Sequence, residues 1–271
     1  MPLEFDIITL LPEMFDAVTQ HGVTGRAKRN NLYHLHTWNP RNYVTNSYRT
    51  VDDAPYGGGP GMVMMAEPLD QAITDARMRQ TRNGIDQTRV IYLSPQGKRL
   101  NHEKILQISK LDGIILLCGR YEGIDERLIE DQVDEEISIG DYVISGGELA
   151  AMVLIDAVIR QLPGALGDVQ SASQDSYVDH LLEYPHYTRP CIYKEKPVPE
   201  VLLSGNHAKI AHWRLQQSIG RTWLKRPDLL MEKYPGGLPG KEKELLEEFK
   251  QLQRLTITDQ TTADTIKERE Q

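Results

Sequence analysis

Apolar positions in the first 160 residues form short runs that alternate with helix-spaced stretches, and this predicts an α/β domain on a largely parallel sheet. Leu3 to Leu10 is the first strand candidate. Pro12-Glu13-Met14-Phe15 behind it suits the first turn of a helix, where proline forfeits no needed hydrogen bond. Val90 to Leu93 predicts a second strand, closed by Ser94-Pro95-Gln96-Gly97, and Gly113 to Cys118 a third that ends at Gly119. Ile137 to Ile144 alternates well enough to predict a fourth, with a short helix, Asp125 to Val133, before it. Leu149, Met152, Val153, Asp156, Val158 and Ile159 then trace an amphipathic helix that stops before Pro163-Gly164.

From Gly164 to Ser176 the chain turns small and polar, with little to bury, which is the composition of a mobile linker. Beyond it, Trp213 to Leu224 and Lys241 to Leu252 have helical spacing. The expected organisation is a catalytic α/β domain over residues 1–163, a linker over 164–176, a small helical domain over 177–255 and a polar tail over 256–271. No internal repeat is visible.

Composition narrows the class. With 39% hydrophobic and 26% charged residues the chain can build a core, which excludes global disorder. The first residues carry Glu4 and Asp6 where a signal peptide needs bases, and the densest apolar helix is interrupted by Asp156 and too short for a bilayer. A soluble, cytoplasmic protein without a membrane partner is expected. Two cysteines, Cys118 and Cys191, exclude a disulfide framework, and Cys118 at the end of an apolar run reads as a small buried hydrophobe. His34 and His36, two apart on a strand, suit a surface better than a metal site.

A net charge of −8 argues against indiscriminate nucleic-acid binding, but charge is unevenly placed. Residues 201–227 contain no Asp or Glu, while Lys209, Arg214, Arg221, Lys225 and Arg226 are interleaved with His207, His212, Trp213 and Trp223. That pattern fits a specific RNA surface, and it equally fits a solvated helix face beside a pair of tryptophans.

Three glycine-rich strings carry candidate chemistry. Gly119-Arg120-Tyr121-Glu122-Gly123 follows a strand directly, at the strand end where α/β folds place ligands. Ser138-Ile139-Gly140-Asp141-Tyr142-Val143-Ile144-Ser145-Gly146-Gly147 precedes a strong helix, and such a loop offers backbone groups to an adenine edge. Pro55-Tyr56-Gly57-Gly58-Gly59-Pro60-Gly61-Met62 has no following Gly-Lys-Ser/Thr, so a P-loop nucleotide hydrolase is excluded.

Read together with Val51-Asp52-Asp53, Tyr92-Leu93-Ser94-Pro95-Gln96-Gly97, the PHYTRP string at Pro185–Pro190 and LLSGNHAKIAHWR at Leu202–Arg214, these strings run in the order found in the bacterial tRNA (guanine-N1)-methyltransferases, which the chain resembles to about Leu230. The resemblance implies a SPOUT fold, an α/β trefoil-knot methyltransferase domain with a small helical C-terminal domain. It implies S-adenosylmethionine as cofactor, tRNA as substrate, guanosine 37 beside the anticodon as target, and a homodimer with active sites at the subunit interface. The knot would form around Leu93, Gly119 and Ser138 to Gly147, and the implied cofactor contacts are Leu93, Ser94, Pro95, Gly119, Tyr121, Ser138, Ile139, Gly140, Asp141, Tyr142, Val143, Ile144, Gly146 and Gly147. One departure is Ala150, where the family's loop is expected to carry proline.

The implied reaction sets the remaining expectations. Guanine N1 holds a proton that must leave before the nitrogen can attack, so a base is needed there and a cation near O6. No metal is required by this logic, although magnesium stimulation would suit the family. Asp168, Asp175, Asp179 and His180 are all candidate bases on residue type alone; the resemblance selects Asp175. It assigns the cation to Arg160, which its place at a helix end would also explain, and gives Glu122 an orienting role. Lys209, Arg214, Arg221 and Lys225 are the expected tRNA contacts. The competing functions are a non-catalytic RNA- or cofactor-binding module and a SPOUT enzyme acting on rRNA or a ribose hydroxyl.

Overall fold

The computed structural model describes residues 1–167 and 175–253. Contacts divide the chain into two compact units, Met1–Ala172 and Ser173–Gln271.

The first unit is built on five strands: β1 (Leu3–Ile8), β2 (Tyr33–Trp38), β5 (Thr88–Arg99), β6 (Gly113–Cys118) and β7 (Glu135–Ser138). They lie parallel in the order β2-β1-β6-β5-β7. A two-residue antiparallel pair, β3 (Asp52–Asp53) and β4 (Val63–Met64), stands apart from them. The helices are α1 (Asp16–Gln20), α2 (Gly22–Arg29), α3 (Ala66–Arg82), α4 (His102–Ile108), α5 (Glu126–Gln132) and α6 (Gly147–Ile159).

The inner strands β1 and β6 and the Val90–Leu93 part of β5 are mostly apolar on both faces because both faces are covered. Phe5, Ile7, Ile91, Leu93, Ile114 and Leu116 pack with Leu154, Ile155 and Val158 of α6. The alternate positions Ile8, Val90, Tyr92, Ile115 and Leu117 pack with Leu69, Ala72 and Ile73 of α3 and Leu128 of α5. Two acids of β1 are nevertheless buried. Asp6 accepts from Trp38 Nε1 at 2.6 Å, Arg79 Nε at 2.8 Å and Gln80 Nε2 at 2.8 Å. Glu4 accepts from Arg79 Nη2 at 2.7 Å and hydrogen-bonds His34 at 2.6 Å. Burial pushes the Glu4 carboxyl up, but these His34 and Arg79 bonds outweigh it and hold Glu4 below its usual range.

One local expectation is corrected, that for the fourth strand, and two others take a definite form. The segment Pro12–Phe15 is a 3₁₀ turn, with α1 beginning only at Asp16. The fourth strand ends at Ser138 instead of Ile144, because the Ser138 hydroxyl donates to the Gly140 carbonyl at 3.0 Å and accepts from the Gly140 N–H at 3.2 Å. A side chain that bonds its own backbone in this way replaces the strand ladder with a turn. Ala150, in turn, lies buried within the first turns of α6 and continues the helix. The short helix before β7 behaves as expected, with the Asp125 carboxylate accepting from the Arg127 N–H at 3.1 Å as its N-cap.

The second unit contains β8 (Ile192–Tyr193) paired with β9 (Lys196–Pro197), α7 (Glu200–Leu203), α8 (His207–Lys225), α9 (Pro227–Lys233) and a helix over residues 240–253, here α10. Leu181, Ile219, Leu230, Leu245 and Leu246 form its core. Among the described residues no helix is long and apolar enough to cross a membrane.

Candidate active site

A pocket of about 210 Å³ opens beside the register slip in β5 and at the C-terminal ends of β6 and β7. Three separate stretches of chain build it. Leu93, Ser94 and Pro95 come from β5, where the pairing with β7 slips so that both Leu93 and Lys98 stand opposite Ile137 and the residues between loop out. Gly119 and Tyr121 follow β6, and Ser138, Ile139, Gly140, Tyr142, Val143, Ile144, Gly146 and Gly147 form the loop into α6. The structure therefore gathers every expected cofactor contact except Asp141. That side chain is 79% exposed, ion-paired with Arg99, and outside the pocket.

The walls come close because α6 begins against β6. The Gly147 N–H donates to the Gly119 carbonyl at 2.9 Å, and a Cβ on Gly147 would stand 2.8 Å from Cys118 Cα. Only glycine fits that approach. Burial, reinforced by the Glu148 carboxylate, pushes the Cys118 thiol well above its normal range, so it is a packing group rather than a nucleophile. Tyr92 also lines the pocket, and its hydroxyl is pushed up to about 12 by burial and then by Glu136 and Glu126.

Sequence reasoning missed Tyr92, Arg120, Gly123, Ile137, Ser145 and Ala150 as lining residues. Arg120 and Gly123 sit inside a string already singled out, so the string was the available signal. The glycine-rich segment at 55–62 acquires a place as well. Met62 accepts the Glu122 N–H at 2.9 Å, and a Cβ on Gly61 would meet the Glu122 side chain at 2.4 Å. Glu122 itself is exposed at the pocket wall.

Arg160 lies elsewhere in the first unit. It caps the C-terminal end of α6, donating its N–H to Asp156 at 3.2 Å, and it does not line the pocket. Asp175 belongs to the second unit, where it borders a hollow of about 220 Å³ with Val178, Leu182, Tyr184 and Arg214. Asp179 and His180 follow it in a 3₁₀ turn, both with positive φ, and Asp179 pairs with Lys233. Asp168 lies outside the described residues.

The four basic residues expected to meet RNA all fall on α8. At 100° per residue, Arg214, Arg221 and Lys225 lie within about 40° of one another, whereas Lys209 is more than about 100° round the helix. Arg214 stacks over the Tyr184 ring at 4.6 Å, while Lys209 borders a separate hollow with His212 and Trp213. The expected single basic patch is thus one face of three cations and a fourth cation turned away.

Comparison with known proteins shows the family. Residues 3–232 match the family described as tRNA (Guanine-1)-methyltransferase TrmD. A tRNA (guanine-N(1)-)-methyltransferase of Nitrosomonas europaea is 79% identical over 271 residues, covering 100% of both chains. The protein of that name from Nitrosospira multiformis is 65% identical, covering 92% of this chain and 97% of its own. That from Chromobacterium violaceum is 59% identical, covering 93% and 97%.

Proposed function

Because the chain belongs to the tRNA (guanine-1)-methyltransferase family, we propose that the pocket between the slip in β5 and the ends of β6 and β7 holds S-adenosylmethionine for transfer of its methyl group to N1 of guanosine 37. The chain is an enzyme that methylates N1 of a guanine in tRNA, with the SPOUT α/β fold of its family. The convergence of three strings, distant in sequence, on one cavity is the observation that carries the assignment of the donor site.

The residues present suit such a donor. Apolar side chains of Leu93, Ile139 and Ile144 offer contact to a flat base, and the backbone of the 139–146 loop offers donors and acceptors to its edge. When bound, the donor supplies an already electrophilic methyl group. What remains for the protein is the nucleophile. Asp175 takes the proton from guanine N1, Arg160 stabilises the charge that gathers on O6, and Glu122 orients the donor or that arginine. Arg214, Arg221 and Lys225 bind the phosphates of the tRNA, with Lys209 contributing from a separate face.

We also infer a homodimer acting in the cytoplasm. In a single first unit Glu122 lines the pocket while Arg160 does not, so an interface that supplies the missing groups completes the site. Leu149 and Val153 of α6, 48% and 50% exposed, offer an apolar surface for it. We retain residues 1–163, 164–176 and 177–255 as the working division into catalytic domain, linker and RNA-binding domain.

The test is transfer of labelled methyl from S-adenosylmethionine to unmodified tRNA, followed by mapping of the modified nucleoside. The expected product is 1-methylguanosine at position 37. Methyl on a ribose, or on another base, would overturn the assignment, and donor binding without transfer would favour a non-catalytic module.

A further inference from the structure

An ion pair between a buried carboxylate and a pocket-lining arginine plays no part in the chemistry just described. Glu148, in the first turn of α6, is 0% exposed, and its Oε2 lies 2.8 Å from Arg120 Nη2. Its other oxygen, Oε1, accepts from the Thr9 hydroxyl at 2.9 Å, from the segment just after β1. Thr9 is itself held, because its hydroxyl accepts the Leu11 N–H at 3.0 Å.

An acid in the first turn of a helix complements the helix dipole, but that role needs neither burial nor a cation. Burying a carboxylate completely is costly unless it is well partnered, and its cationic partner here keeps 20% of its side-chain surface exposed, so the arrangement invites a reason beyond stability. The reason lies in what Arg120 touches. Its Nη1 donates to the Ser145 carbonyl at 3.3 Å, and a Cβ on Gly146 would stand 2.4 Å from its Nε. The backbone at 145–147 is therefore clamped between the Arg120 guanidinium and the end of β6. Arg120, Ser145, Gly146 and Gly147 all line the pocket.

We propose that Glu148 is a positioning residue: pinned by Thr9, it holds Arg120 against Ser145 and Gly146 and so sets the pocket wall that meets the methyl donor. This rests on the reading that the pocket takes S-adenosylmethionine. Glu148 touches no reactant; it acts through Arg120. A flexible guanidinium left without its carboxylate would release the loop, and the wall would no longer be preorganised for the ligand.

The experiment compares the full-length protein with Glu148→Gln, Thr9→Val and Thr9→Ser, titrating each with S-adenosylmethionine in a calorimeter and measuring the KM for donor and for tRNA. Glu148→Gln keeps the shape and removes the charge. Thr9→Val keeps the ion pair and removes the hydroxyl, and with it both the hydrogen bond to Oε1 and the acceptor for the Leu11 N–H, so it remains informative should Glu148→Gln fail to fold. Loss of one charge-assisted bond should weaken donor binding roughly tenfold, raising the donor KM and leaving the tRNA KM in place. Thr9→Ser, which retains the hydroxyl, should restore it. Folded variants that melt earlier yet bind donor like the unaltered protein would reduce the pair to a structural role and overturn the proposal. So would a Thr9→Ser protein as weak as Thr9→Val. Failure of the unaltered protein itself to bind donor would instead overturn the assignment of the pocket, and this inference with it.

Discussion

Gly147 donates its N–H to the Gly119 carbonyl at 2.9 Å, and this bond fastens the start of α6 to the end of β6. The pocket exists because two backbones meet there without a side chain between them. Gly147→Ala would place a Cβ against Cys118 Cα at 2.8 Å, which only backbone movement relieves. Overpacking of this kind costs about 1–3 kcal/mol. To the extent that donor binding must restore the closed wall, affinity should fall roughly ten- to a hundredfold. Calorimetry, with circular dichroism as the control for folding, measures it; a folded variant with unchanged affinity would remove this contact from the site.

Asp175→Ala separates chemistry from binding. Removal of a positioned base should slow the methyl-transfer step by about 10²–10⁴-fold in single-turnover assays at saturating donor and tRNA. Donor affinity should stay within the error of the unaltered protein. A chemical step near the original rate would move the role to Asp179 or His180.

Arg160→Ala should damage the same step to a similar degree, through loss of charge stabilisation at O6. The double variant with Asp175→Ala should fall short of the product of the two effects, because both groups would serve one transition state. Multiplicative losses would argue for separate roles.

The geometry of α8 divides its cations. Arg221→Glu with Lys225→Glu reverses two charges on one face, and tRNA binding should weaken with a shallower dependence on salt. Lys209→Glu, from another side of the helix, should have the smaller effect. Filter binding across a salt series checks both, and equal affinities throughout would leave α8 as a solvated face.

Glu4 gives a pH dependence with a definite sign. Its carboxyl sits below the ordinary value of 4.5 in the folded protein, so the stability it contributes is complete above that value. That contribution is lost as pH falls through the lowered folded value, where the carboxylate protonates and its bonds to Arg79 and His34 weaken. Glu4→Gln should therefore melt well below the unaltered protein near about pH 7, and the gap should narrow towards about pH 3. A gap that stays constant with pH would show that the charge of Glu4 contributes nothing.

The sequence by itself determined the parts governed by neighbours along the chain. The run Gly113–Cys118 is apolar at every position because both faces of a central parallel strand are covered, and it is a strand. The helix-spaced residues from Leu149 to Ile159 form α6, and the glycine-rich strings mark the pocket because close backbone approach leaves few alternatives to glycine. Only the tertiary structure decided what depends on residues far apart. Two local features escaped the apolar pattern as well: the Ser138 hydroxyl ends its strand by bonding Gly140, two residues on, and α3 carries its apolar stripe partly on alanines such as Ala72 and Ala76. Asp141 lies among lining residues in sequence yet turns to Arg99. Thr9 and Glu148 are 139 positions apart, and they meet because β1 pairs with β6 and α6 packs back on the sheet. Spacing along a chain encodes periodic local geometry; which buried charge finds which partner is settled by sheet order, and no local pattern carries that.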